Sequence, residues 1–156
     1  MKKIILGLLI CLLSTYTMAQ SSTSKSYAFR LKPGEDLKVG IEKFLTDHKI
    51  KAAAIVTVVG SLTDANIRYA NQPEGKLLKG HFEITSLTGV LSTNGSHMHI
   101  SIANEKGKTF GGHLLDGCKV YTTAEIVILE LMDLEFKREI DPTFGYKELV
   151  VEQIKK

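Results

Sequence analysis

Apolar and polar residues alternate along most of this chain, and one early segment switches to a helical spacing. Tyr27, Phe29 and Leu31 alternate with polar neighbours over 26–32, the period of a half-buried strand. Pro33-Gly34 breaks it. Leu37, Ile41, Phe44, Leu45 and His48 then recur at helical intervals, which predicts one amphipathic helix over 35–48. Glu35 and Asp36 stand at the positive end of its dipole, and His48 is placed to meet its last carbonyls. The Ala- and Val-rich run 52–60 has little polar relief and predicts a central strand buried on both faces.

Beyond it the pattern predicts a turn over 61–65, a short strand over 66–70, and a second turn over 71–75 carrying Pro73. Residues 76–92 hold two strands or one bent strand, punctuated by Gly80 and Gly89. A hairpin is expected from 96–103 and 108–115, closed by Asn104-Glu105-Lys106-Gly107. A long β-branched run over 120–139 and a closing strand over 148–154 complete the chain. One packing helix against a mostly antiparallel sheet gives an α+β fold, as a single domain.

The first residues follow a different logic. Lys2 and Lys3 precede a ten-residue apolar run over 4–13, and Thr17 and Ala19 then stand at −3 and −1 of a small-residue cleavage site. This predicts a signal peptide over 1–19 and an exported protein, periplasmic or secreted. The run is shorter than the roughly 20 apolar residues of a membrane span, so no membrane anchor is expected. A Ser/Thr-rich stretch, 20–25, is expected as a disordered lead-in to a domain over 26–156.

Cleavage would leave 137 residues, enough for one core without disulfides. Cys118 would then be the single cysteine, between Gly117 and an apolar strand, and burial is its expected state. The remaining 18 basic and 17 acidic residues are interleaved, as in Glu135-Phe136-Lys137-Arg138-Glu139. No basic block is present, so nucleic acid is not an expected partner.

The chemistry concentrates in the hairpin. His97 and His99 lie two apart on a strand and therefore share a face. His113 on the neighbouring strand offers a third nitrogen, the ligand set zinc uses when one coordination position stays open. Register decides whether they meet. A four-residue turn would set His99 opposite Gly112 and turn His113 to the wrong face. A β-bulge at Gly111-Gly112, or a five-residue loop ending at Lys108, would restore it. The alternative is three polar strand residues hydrogen-bonded at a subunit interface.

Glu125 is a second candidate, a carboxylate within the apolar run Ala124-Glu125-Ile126-Val127-Ile128. A carboxylate in that setting must be paired or face a cavity. It is read either as a metal ligand, an orienter of an imidazole or a proton-transferring catalytic residue, or as an ion-pairing group at a subunit interface. His81 lies on a different segment and is set aside.

Several consecutive blocks resemble the plants-and-prokaryotes conserved (PPC) domain in its bacterial and archaeal branch. Residues Gly80-His81-Phe82-Glu83-Ile84-Thr85-Ser86-Leu87-Thr88-Gly89 resemble its G-x-F-E-I-x-S-L-x-G segment. His97-Met98-His99 followed by Gly111-Gly112-His113-Leu114 resembles its H-x-H…GGHL core, and Gly117-Cys118 and Thr122-Thr123-Ala124-Glu125-Ile126 continue in register. The resemblance covers about 27–140. It implies a compact α+β domain that forms a homotrimer, with a metal site at His97, His99 and His113. In plants the domain accompanies AT-hook motifs, the origin of a DNA-binding label, and this chain has no Arg-Gly-Arg core to enter a minor groove.

The expected function is therefore an exported, trimeric binding module with a three-histidine site for a divalent metal, zinc foremost, and a small ligand. The alternative is a metal-dependent hydrolase or lyase acting on a small substrate, with Glu125 moving the proton. DNA binding ranks behind both.

Overall fold

The computed structural model describes residues 19–155. The expected signal peptide lies outside them, Ala19 apart. In chain order the elements are β1 Ser24–Leu31, α1 Leu37–Asp47, β2 Ala53–Arg68, β3 Lys76–Leu91, β4 His97–Asn104, β5 Thr109–Leu114, β6 Lys119–Leu131, β7 Leu134–Ile140 and β8 Lys147–Gln153. Among the described residues the fold is α+β, with antiparallel strand pairings and one helix. Among the described residues no helix is long and apolar enough to cross a membrane.

The helix begins at Leu37 rather than 35 because Asp36 is its cap. Asp36 keeps an extended backbone, and its carboxylate accepts the Val39 N–H at 3.2 Å and the Gly117 N–H at 2.7 Å. One end of α1 is thereby tied to the start of β6. The buried positions Leu37, Ile41 and Leu45 face the main core. At the other end His48 acts as expected, its Nδ1 lying 2.9 Å from the Phe44 carbonyl.

Six strands form the main sheet in the order β1-β6-β2-β3-β4-β5. The far end of β2 also pairs with β5, through Ile67–Leu114 and Arg68–His113, so β2, β3, β4 and β5 close into a ring. Core residues alternate along each strand, as Met98, Ile100 and Ile102 do on β4 and Ala124, Ile126 and Ile128 on β6. The residues between them, His97 and His99 among these, stand on the outer face.

Four expectations need correction. No turn interrupts 61–65. Leu62, Ala65 and Ile67 are fully buried, and register shifts after Ile55, Gly60 and Leu62 let β2 bend while it keeps its pairing. Nor is this central strand buried on both faces, because Val56 and Val59 remain 57% and 60% exposed. The run 120–139 is two strands. It breaks at Met132-Asp133, where the Asp133 carboxylate accepts both the N–H and the hydroxyl of Thr23, at 2.8 and 2.6 Å. Those bonds also order the lead-in expected to be disordered, and β1 already pairs with β6 from Ser24. Residues 76–92 follow the bent-strand reading, as β3 with a register shift between Ile84 and Ser86.

The chain after the break folds back on itself. β7 and β8 make a separate two-stranded sheet, with Leu134 and Phe136 packed in a small cluster against Ala52. This hairpin becomes a wall of the site described next.

Candidate metal centre

The β4–β5 hairpin fixes its register through its loop. Ala103 pairs with Thr109, and the Asn104 N–H donates to the Lys108 carbonyl at 3.0 Å, so 104–108 is the five-residue connection. The Asn104 side chain accepts the N–H groups of Lys106 and Lys108, and Gly107 supplies the left-handed backbone at φ 73°. His99 consequently pairs with His113. No bulge is needed at Gly111-Gly112, which pair in unbroken register with Ser101 and Ile100. Gly112 serves another purpose, because a Cβ there would lie 2.5 Å from the Arg68 carbonyl oxygen. Its lack of a side chain lets β2 approach β5 and closes the ring beside His113.

Three ring nitrogens converge on the outer face. His97 Nε2 and His99 Nε2 are 3.1 Å apart, and each is 3.2 Å from His113 Nδ1. The His97 and His113 rings are nearly parallel, at 9°, and His99 stands almost perpendicular to both, at 85° and 87°. Each ring nitrogen offers one N–H or one in-plane lone pair, so at most one side of this triangle can be a hydrogen bond. A metal ion satisfies all three lone pairs together. Nitrogens at three corners of a tetrahedron, each about 2.0–2.1 Å from zinc, stand about 3.3–3.4 Å apart, close to the observed spacing. Among the described residues, this is the group of His, Cys, Asp or Glu side chains whose donor atoms converge closely enough for an ion.

The electrostatics favour neutral imidazoles, the form that ligates metal. Burial lowers the pKa of His97 below the ordinary imidazole value, and the charges of His99 and Arg138 act in the same sense. His113 is lowered by burial and then by Arg68 and His99. Beside the triad lies a cavity of about 860 Å3, lined by His97 and His113 and also by Arg68, Arg138 and Glu148.

Glu125 does not join the histidines. It is exposed on β6, paired in register with Arg30 and Val59, and β2 and β3 separate its strand from β4 in the sheet. Its carboxylate makes no hydrogen bond or ion pair with another described residue. His81 packs its ring 4.3 Å from Tyr121. Cys118 is buried and exchanges weak hydrogen bonds with the Asn66 backbone. Sequence reasoning missed Arg68, Arg138 and Glu148, single charged residues on amphipathic strands with no spacing signal to mark them.

The chain is 43% identical over 128 residues to the bifunctional protein GlmU of a Synechococcus strain, which covers 82% of this chain and 21% of that protein. It thus spans about a fifth of that relative. A solved structure of a hypothetical protein from Salmonella matches with a TM-score of 0.84 at 40% identity, covering 86% of this chain and 97% of that one. A metal-containing protein from Archaeoglobus fulgidus matches with a TM-score of 0.72 at 30% identity, over 81% of this chain and 93% of that one. A Bacteroides thetaiotaomicron structure named for DNA binding matches at 0.71 with 20% identity, over 84% and 98%, and shares the fold. The model of one family, the Plants and Prokaryotes Conserved (PCC) domain, matches residues 18–132, through the histidine hairpin and up to the break before β7. This chain belongs to the PCC domain family.

Proposed function

We propose that this protein is a binding module holding one divalent metal ion, zinc foremost, on His97, His99 and His113, with a small ligand reaching it from the adjacent cavity. The convergence of three imidazole nitrogens within 3.1–3.2 Å carries the reading. His97, His99 and His113 would hold the ion through three nitrogens, a ligand set that suits zinc, and the ion would supply Lewis acidity toward a donor atom of the ligand. The metal-containing character of the A. fulgidus relative supports the assignment.

Assembly and location belong to the same proposal. The module is a homotrimer, supported by the family resemblance and by the exposed valines of β2. It is exported, supported by the basic start and the short apolar run over 4–13. Nucleic acid is not its partner, since the chain without its leader carries 18 basic against 17 acidic residues.

The test is metal content, measured by mass spectrometry on protein purified without a polyhistidine tag. About one zinc per chain is expected, falling to near none in a His97→Ala/His99→Ala variant that keeps the fold. Wild-type protein that neither arrives with a metal nor takes up added zinc ends this reading.

One observation favours a second reading, a metal-dependent hydrolase or lyase. The cavity reaches His97 and His113 directly, as turnover of a small substrate requires. Glu125 lies elsewhere, so proton transfer would fall to Glu148 in the cavity wall. Zinc-dependent turnover lost on Glu148→Gln but kept on Glu125→Gln separates this enzyme from a pure binding module.

A further inference from the structure

The β7–β8 hairpin lies beyond the family match, yet it supplies Arg138, Tyr146, Lys147 and Glu148 to the cavity beside the histidines. Two buried side-chain atoms without a hydrogen-bond partner stand out among the described residues, Arg138 Nη2 and Ser96 Oγ. Both residues line this same cavity. A guanidinium nitrogen removed from water and left without an acceptor costs folding free energy unless something else supplies the acceptor. The serine hydroxyl is a second orphan beside the same space.

The charge balance says what kind of acceptor is missing. Lys38 also lines the cavity, but its ammonium is engaged by Asp116 at 2.7 Å and Glu42 at 3.2 Å. Among the described residues Arg68, Arg138 and Lys147 have no such carboxylate partner, and Glu148 is the single acid among those lining the wall. The cavity therefore holds a surplus of positive charge. Its volume of about 860 Å3 falls within the range of small-molecule sites.

We infer that the cavity receives a small anion, a carboxylate- or phosphate-bearing molecule whose charge is met by Arg138 and Arg68. Ser96 adds a hydroxyl donor, and Lys147 adds a screened charge at the exposed rim. The fork of a guanidinium matches two oxygens of either anion, and such charge-assisted pairs are stronger than neutral ones. The metal end of the ligand rests on the three-histidine reading above, and the anion end rests on the cavity alone. Arg138, Tyr146, Lys147 and Glu148 all come from the hairpin after residue 132, so the hairpin supplies most of the charge that would meet such a ligand.

Calorimetric titration of the zinc-loaded protein with succinate, inorganic phosphate and the uncharged succinamide tests this, with zinc content measured on the same samples. Succinate or phosphate is expected to bind, more weakly as salt rises, and succinamide to fail. Arg138→Gln should weaken the anion by about tenfold or more with zinc content unchanged. Lys147→Gln, on an exposed position, should weaken it by about twofold to fivefold, and so keeps the test open if the first variant does not fold. Equal binding of succinamide, an affinity untouched by both substitutions, or no binding of either anion to the zinc-loaded protein would overturn the inference. Zinc retained without anion binding refutes the anion site alone. Arg138-dependent anion binding in protein that takes up no zinc refutes the metal reading alone.

Discussion

The Cys118 thiol is fully buried, accepts the Asn66 N–H at 3.2 Å, and lies 3.5 Å from the Asn66 carbonyl. Burial is the main reason its pKa rises from 9.0 to about 11. The raised value means that the folded state favours the protonated thiol. Its contribution to stability is therefore complete below pH 9 and is lost as pH climbs toward 11. The loss is on the order of 2 kcal/mol. Native protein of residues 20–156, which keeps Cys118 as its one cysteine, should at pH 8 be inert to a chromogenic disulfide reagent and react only on unfolding. In denaturant titrations from pH 8 to 11, wild type should lose that much more stability than Cys118→Ala. Rapid native labelling, or parallel pH profiles, would place the thiol at the surface. This burial was legible from the apolar neighbours of Cys118, as the facing of His97 and His99 was from their spacing of two. Arg138 was not legible, because its interest lies in what fails to approach its Nη2, and no one-dimensional pattern records that.

Strands were read most securely where one face is buried, since alternation then leaves no choice of facing. The reading failed where polar residues sit inside a strand. Ser61, Thr63 and Asp64 suggested a turn, yet Ser61 is buried and its hydroxyl bonds that of Thr122 on β6 at 2.8 Å. A cross-strand partner turns an apparent break into pairing. Gly111-Gly112 offers one of two ways to bring His113 opposite His99, and the five-residue loop ending at Lys108 is the one the hairpin uses. Gly112 instead permits β2 to lie against β5. Gly112→Ala would set a methyl 2.5 Å from the Arg68 carbonyl and 2.9 Å from Ile67 Cγ2, two groups held by the sheet. We expect a loss of about 1–3 kcal/mol from this overpacking. Because His113 is the next residue, zinc affinity measured against a chromophoric chelator should fall as well. Gly34→Ala is the control. Its φ of 84° makes alanine costly in the turn between β1 and α1, outside the cavity wall, so stability should drop while zinc affinity holds. Wild-type zinc affinity in Gly112→Ala would mean that ring closure does not position His113.

At the scale of the whole molecule, the unresolved business of the sheet is its outer face. Val56 and Val59 sit on a strand with neighbours on both sides, yet both are more than half exposed, and Tyr121 on β6 is 45% exposed. Burying what remains exposed of each valine is worth about 1–2 kcal/mol, which a second copy of the chain would supply. Glu125 pairs in register with Val59, so the same contact would enclose its carboxylate. With Glu125 away from the histidines, the interface reading of its carboxylate is the one to test. Glu125→Gln should leave zinc content and anion binding intact while the concentration at which the chains dissociate changes. A fall in zinc retention with the assembly mass unaltered would overturn that reading. Sedimentation equilibrium of wild type should give three chains. Val59→Asp, which sets a second carboxylate beside Glu125, should give a lower mass that recovers in part at high salt, as like-charge repulsion is screened. A wild-type mass of one chain at micromolar concentration would remove the interface reading, and the exposed valines would then need another cover.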